Sequence, residues 1–277
     1  MMETQIISIS LGSFTGVILA LSGAGGAIIA VPLLIFGMHL AIAEAAPIAL
    51  LAVCLSATIG ALLALMQKGM RYRAAGFIAT IGAIAAPSGI LLAQKIPNAP
   101  LTLLFSMILA YVAFDMFRQS RRSKEEIESS ESTSFAKPCL LDLPEGRLVW
   151  TWPCVRALAL SGFLAGFLSG LLGVGGGFVV VPALKKVTNL QMQSIFATSL
   201  AVIALISAIG VISATLMGVM NWSIAIPFSG GAMVGMLLGR TFANRFSGPK
   251  LMQGFAVMAA CVSAGMVIKV IFGTDIF

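Results

Sequence analysis

Two ten-residue stretches, 150 positions apart, constrain this chain more than anything else in it. Gly173 to Pro182 reads GVGGGFVVVP, and Gly23 to Pro32 reads GAGGAIIAVP. The offset holds without a gap well beyond them. Gly12 falls on Gly162, Gly16 on Gly166, Leu34 on Leu184, Leu50 on Leu200, Gly60 on Gly210, Met70 on Met220, Tyr72 on Trp222, Gly89 on Gly239 and Phe105 on Phe255. Residues near 10–118 and 160–268 therefore read as one unit used twice. A period this long does not suit a solenoid and does suit a duplicated half of a membrane protein.

Composition says what the unit is made of. The chain is 59% hydrophobic and 10% charged, with a mean hydropathy of +1.03, against about 25% charged residues in a soluble domain. Apolar runs of bilayer-crossing length recur throughout, and the short alternating segments of a strand barrel are absent. The expected fold is an all-α multi-pass membrane protein with about ten transmembrane or hairpin segments. The segments lie near 6–22, 26–40, 46–66, 74–94 and 100–117, then 156–172, 176–187, 195–217, 223–239 and 251–272. The second segment of each set is short, opened by glycines and interrupted by Pro32 or Pro182. The first apolar run lacks a basic leader and has an internal copy, so it reads as a core segment rather than a cleaved signal. The domain reading is a first repeat over 1–118, a polar Ser-rich cytoplasmic linker over 119–150 with too few apolar residues to bury a core, and a second repeat over 151–277.

The net charge of +7 suggests nucleic acid only until the bases are placed. They cluster at the ends of apolar runs, as a topology signal does, so no nucleic-acid partner is expected. With the linker cytoplasmic and every segment reversing the chain, 15 of the 17 bases lie inside, and only Lys95 and Lys269 lie outside. If the short second segments fail to reverse, the split falls to 11 against 6. The positive-inside rule favours the first arrangement. Five reversals is an odd number, so the two five-segment repeats are inverted relative to each other and both termini lie outside. The four cysteines are scattered without a CxxC pair, so neither a metal site nor a disulfide framework is expected.

The glycine turns are the candidate binding elements. A Gly-rich turn before an apolar helix exposes backbone N–H groups at the positive end of the helix dipole, a combination that suits an anion. Irregular backbone at membrane depth is tolerated only inside protein or beside a water-filled cavity. Gly23, Gly25 and Gly26 in the first copy and Gly173, Gly175, Gly176 and Gly177 in the second are the candidates, although close helix packing would also use such glycines. Paired short segments in two halves point to a transporter's substrate site. Gln193, Thr198 and Ser199 follow the second short helix and could complete an anion's shell, or serve helix capping and interhelical hydrogen bonding. His39 and Glu44 are candidates for proton coupling, against a plain interfacial role. No HExxH, GxSxG or P-loop is present, so no enzyme activity and no cofactor are expected.

The run GVGGGFVVVPAL, followed by QSIFATSLAVI, resembles the signature of the sulfite exporter TauE/SafE family, also called the four-toluene-sulfonate-uptake-like permeases. The pattern falls on Gly173, Gly175, Gly176, Gly177, Pro182 and Leu184, then Thr198, Ser199 and Leu200. The resemblance implies a secondary transporter, an exporter of sulfite, a sulfonate or a related small anion, in the bacterial inner membrane if the source is bacterial. The first copy departs from the pattern: Ala27 replaces a glycine, and Ile48-Ala49-Leu50 stands where Thr-Ser-Leu would be. Alternating access between the two hairpins, driven by a proton, is the expected mechanism. A passive anion channel or a membrane-embedded sensor is the alternative. The expected partners are a small anionic substrate and the lipid bilayer.

Overall fold

In lipid, a chain must satisfy its backbone polar groups internally, and apolar runs of this length do so as helices. The computed structural model describes residues 2–22, 26–66, 72–125, 141–142, 147–148, 151–188, 192–246 and 249–271. Ten helices lie among them. The first five are α1 (Met2–Ser22), α2 (Gly26–Met38), α3 (Ile42–Met66), α4 (Tyr72–Lys95) and α5 (Asn98–Glu125). The second five are α6 (Trp152–Leu172), α7 (Gly177–Val187), α8 (Met192–Leu216), α9 (Trp222–Phe246) and α10 (Pro249–Ile271). Six of these, α3, α4, α5, α6, α8 and α9, contain stretches long and apolar enough to cross a bilayer. Shorter apolar helices cover 5–21, 26–38 and 256–268. The protein is a multi-pass membrane protein.

Two features depart from the expectation. α5 continues to Glu125, past the end of its apolar run, because Arg118–Glu125 is built of adequate helix formers. The linker also carries a short antiparallel pair, β1 (Leu141–Asp142) with β2 (Arg147–Leu148). A third departure is a correction: Cys154, in the first turn of α6, is disulfide-bonded, whereas the cysteine spacing predicts no disulfide. Its partner lies outside the described residues. A bond that the fold brings together leaves no local spacing signature. Cys54 and Cys261 are free.

Packing follows the 150-residue offset, with the halves exchanged. α1 packs on α9, and its counterpart α6 packs on α4, the counterpart of α9. The match extends to single residues. A Cβ on Gly12 would run into the carbonyl of Phe228, and one on Gly162 into that of Ile78. Gly16 meets Ala232, and Gly166 meets Gly82. Each of these contacts is the other shifted by 150. Position numbers rise together along α1 and α9, and along α6 and α4, so both pairs are parallel. Small residues here let backbone meet backbone, as membrane helix interfaces favour.

At the centre, α3 crosses α8, its own counterpart. Leu200 lies beside Gly60, and Leu50 lies beside Gly210, so the two helices are antiparallel. At the crossing the Cys54 thiol donates to the Ala204 carbonyl at 3.6 Å, between residues 150 apart. α3 and α8 hold the highest mean hydropathy of the six candidate spans, 2.5 each, which fits their place in the middle of the bundle. α2 runs back along α1: Gly26 lies against Leu19, Gly37 against Leu11, and the Ser8 hydroxyl reaches the Met38 sulfur at 3.3 Å. The second helix therefore returns to the level where the first begins. The first N–H of α3, on Ile42, donates to Asn98 Oδ1 at 3.2 Å. That bond ties the α2–α3 and α4–α5 connections to one end of the bundle.

Candidate functional site

α6 ends where the chain must turn, and it does so through backbone that only glycine adopts freely. Gly173, Gly175 and Gly176 have φ of 74°, 71° and 71°, the left-handed region that penalises any Cβ. Gly173 closes α6 by donating its N–H to the Ser169 carbonyl at 2.8 Å. Gly176 is the N-cap of α7, and its carbonyl accepts from Val179 and Val180. Gly177 is the first residue of α7.

The turn lies deep. Leu171 through Phe178 are all buried. Gly173 sits against Ala46, in the first turns of α3, while Gly175 faces Val53, Ile203 and the Ser207 hydroxyl. Val53 and Ile203 adjoin Cys54 and Ala204, so the turn reaches the α3–α8 crossing. There the N–H groups of Gly175 and Gly176 have no acceptor among the described residues. Buried N–H groups without partners are rare in folded proteins.

Three side chains share that condition. The hydroxyls of Ser56, Ser169 and Ser207 are buried with no hydrogen-bond partner among the described residues. An unsatisfied buried hydroxyl costs about 1–3 kcal/mol. Ser207 lies against Gly175; its Oγ would sit 3.0 Å from a Cβ there. Ser169 precedes Gly173 by one turn of α6, and Ser56 follows Val53 by three positions on α3. Sequence reasoning does not find these residues. A serine inside an apolar helix looks the same whether its hydroxyl is spoken for or not.

The other predicted residues are distributed unevenly. Gly26 opens α2, buried against Ile18 and Leu19; Gly23 and Gly25 fall outside the described residues. Thr198 and Ser199 are fully buried on α8. Their hydroxyls donate to carbonyls of their own helix, Thr198 to Ser194 at 2.6 Å and Ser199 to Phe196 at 2.9 Å. Ser199 lies on the same α8 stripe as Ile203 and Ser207, one turn from Ile203, which faces Gly175. Gln193 lies in the first turn of α8, and its side chain is outside those described. His39 is exposed in the α2–α3 connection with φ of 53°, and Glu44 is exposed in the first turn of α3. Both lie at the α2–α3 end of the bundle, and Glu44 is two positions before Ala46, the residue that Gly173 abuts.

The cavity that reaches the turn, bounded by Val174 and Phe178 together with Ile28, Phe105, Ile108, Leu109 and Leu172, has a volume of about 10 Å³. That is room for one water molecule, in an apolar lining. Among the described residues, no anion-sized space opens at this cavity.

Comparison with known proteins supplies a class. The family described as Sulfite exporter TauE/SafE matches residues 8–266. A "Probable membrane transporter protein" of Xylella fastidiosa (strain 9a5c) is 30% identical over 255 residues, covering 90% of this chain and 88% of the relative. Its namesake in strain Temecula1 / ATCC 700964 is 28% identical over 253 residues, with coverage of 90% and 88%. The "Probable membrane transporter protein YunE" of Bacillus subtilis (strain 168) is 29% identical over 110 residues, 40% of each chain. No solved structure matches the chain.

Proposed function

We propose that this chain, which belongs to the sulfite exporter TauE/SafE family, is a secondary transporter of a small oxyanion, sulfite or an organosulfonate, held at the glycine turns. One observation carries the reading. The α6–α7 turn brings two unpaired N–H groups and the start of a helix to the central crossing of the bundle. A positive helix end with free donors is suited to an anion.

On this reading the turn, closed here, must open to load the anion. Alternating access needs two oppositely oriented halves, and three contacts support that arrangement. α2 folds back along α1, the equivalent helices α3 and α8 are antiparallel, and the pairs α1–α9 and α4–α6 are parallel. With five reversals per half, odd-numbered helices run one way and even-numbered ones the other, which matches all three. The count of bases places the linker in the cytoplasm. The Cys154 disulfide pulls the other way, because such bonds persist in oxidising compartments. Impermeant-maleimide labelling of Ser132→Cys in a Cys154→Ala, Cys139→Ala background decides between them. Labelling in inside-out vesicles only is expected; labelling on intact cells would reverse the topology.

Counterflow in proteoliposomes tests the function. Internal sulfite should accelerate uptake of labelled sulfite, as it does for a carrier and not for a channel, while a sensor moves nothing. Gly175→Val should abolish uptake while membrane insertion is retained. Normal transport by that variant would remove the turn from the site. A proton is the proposed driver. His39 and Glu44, exposed at one end, would then serve at an entrance, and loss of the pH-gradient effect in His39→Ala is the corresponding check.

A further inference from the structure

Twelve Ser and Thr side chains are buried among the described residues. Nine have acceptors. Most bond back to a carbonyl three or four positions earlier, Ser8 bonds to the Met38 sulfur, and Ser263 donates to the Ser106 carbonyl at 2.8 Å. The back-bond is available to any helical serine by rotation about χ1. Ser56, Ser169 and Ser207 do not make it. All three lie on the elements that enclose the α6–α7 turn, and Ser207 lies against it.

The positions related to these three by the 150-residue offset carry no hydroxyl. The counterparts of Ser169, Ser207 and Ser56 are Leu19, Ala57 and Ile206, each buried and apolar. Packing at these three positions is therefore satisfied without a hydroxyl.

We propose that Ser207, Ser169 and Ser56 are hydroxyl ligands of the transported anion, completing a neutral donor set beside the α6–α7 turn for a small, singly charged oxyanion. The proposal rests on the reading of the turn as the binding element. Single charge follows from the surroundings. The buried polar side chains among the described residues are all Ser or Thr, and the Arg240 guanidinium, which donates to the Gly60 carbonyl at 3.0 Å one turn from Ser56, is only half-buried, so a second negative charge at the turn would have no fully buried counter-charge, which is costly. Hydroxyls can also accept, which backbone N–H groups cannot. An oxyanion that keeps a proton is therefore served on both counts.

The test uses the full-length protein in lipid nanodiscs and calorimetric titration with methanesulfonate, which is singly charged, and with sulfate, which is doubly charged. Wild type is expected to bind methanesulfonate at least tenfold more tightly than sulfate. Ser207→Ala should weaken methanesulfonate binding about tenfold, and Ser169→Ala and Ser56→Ala about threefold to tenfold each. Melting temperatures should be unchanged or raised, because the lost hydroxyl had no partner. Ala57→Ser and the back-bonded Ser229→Ala should bind as wild type does. If the three serine variants bind like wild type while Gly175→Ala binds poorly, the hydroxyl ligands fall and the turn stands. If Gly175→Ala also binds like wild type, or if wild type binds neither probe, the turn reading falls and takes the proposal with it. Tighter binding of sulfate would overturn the single-charge assignment.

Discussion

The hairpin α1–α2 and the hairpin α6–α7 have the same construction and different chemistry. Both consist of a long apolar helix, a glycine-rich stretch of sequence and a short helix containing Pro32 or Pro182. Around the second, three buried hydroxyls have no partner among the described residues; the equivalent places around the first are filled by Leu19, Ala57 and Ile206. The Thr198–Ser199 pair on α8 has Ile48–Ala49 as its counterpart on α3. The contacts between helices repeat with the 150-residue offset, while the unpartnered hydroxyls among the described residues do not. Shape and binding are thus separable in this protein. One half can supply symmetry to the movement while the other supplies most of the donors.

The sharpest way to break that comparison is to block each turn in turn. Gly175→Val should weaken methanesulfonate binding at least 100-fold, roughly 2.7 kcal/mol. Gly25→Val, at the equivalent place, should weaken it less than about fivefold. Equal losses in the two titrations would mean that both turns grip the anion alike. Read on a different axis, Leu19→Ala removes a fully buried side chain and should cost about 2–5 kcal/mol of stability. Its partner change, Ser169→Ala, should cost none. Thermal unfolding in nanodiscs measures both, and a large loss from Ser169→Ala would show that this serine serves packing and not the ligand.

The helices were legible because hydropathy and bilayer thickness together leave few choices. Pro47, Pro87 and Pro227 sit inside helices without confusing the reading, since membrane helices tolerate proline where neighbours re-satisfy the backbone. The end of α5 was not legible, because a helix can outlast its apolar stretch when the following residues are good helix formers. The disulfide at Cys154 was hidden for want of any spacing signal. At the site, Gly173, Gly175 and Gly176 announced themselves through composition, and the structure gives each a positive φ. Thr198 and Ser199 carried the family's pattern, yet their hydroxyls are occupied within α8. Ser207 had no pattern at all. Only the fold, by bringing α8 against the turn, gives it meaning.

The exchange of partners between the halves has a mechanical consequence. α1 is keyed into α9 and α6 into α4 by glycines that leave no room for a sliding side chain, and each such joint unites pieces from opposite halves of the polypeptide. Whatever rigid blocks shift during a transport cycle, their borders cannot follow the order in which the chain was made. Severing the linker would not separate the machine into two working parts, because each fragment would leave behind the surface on which its own leading helix is seated.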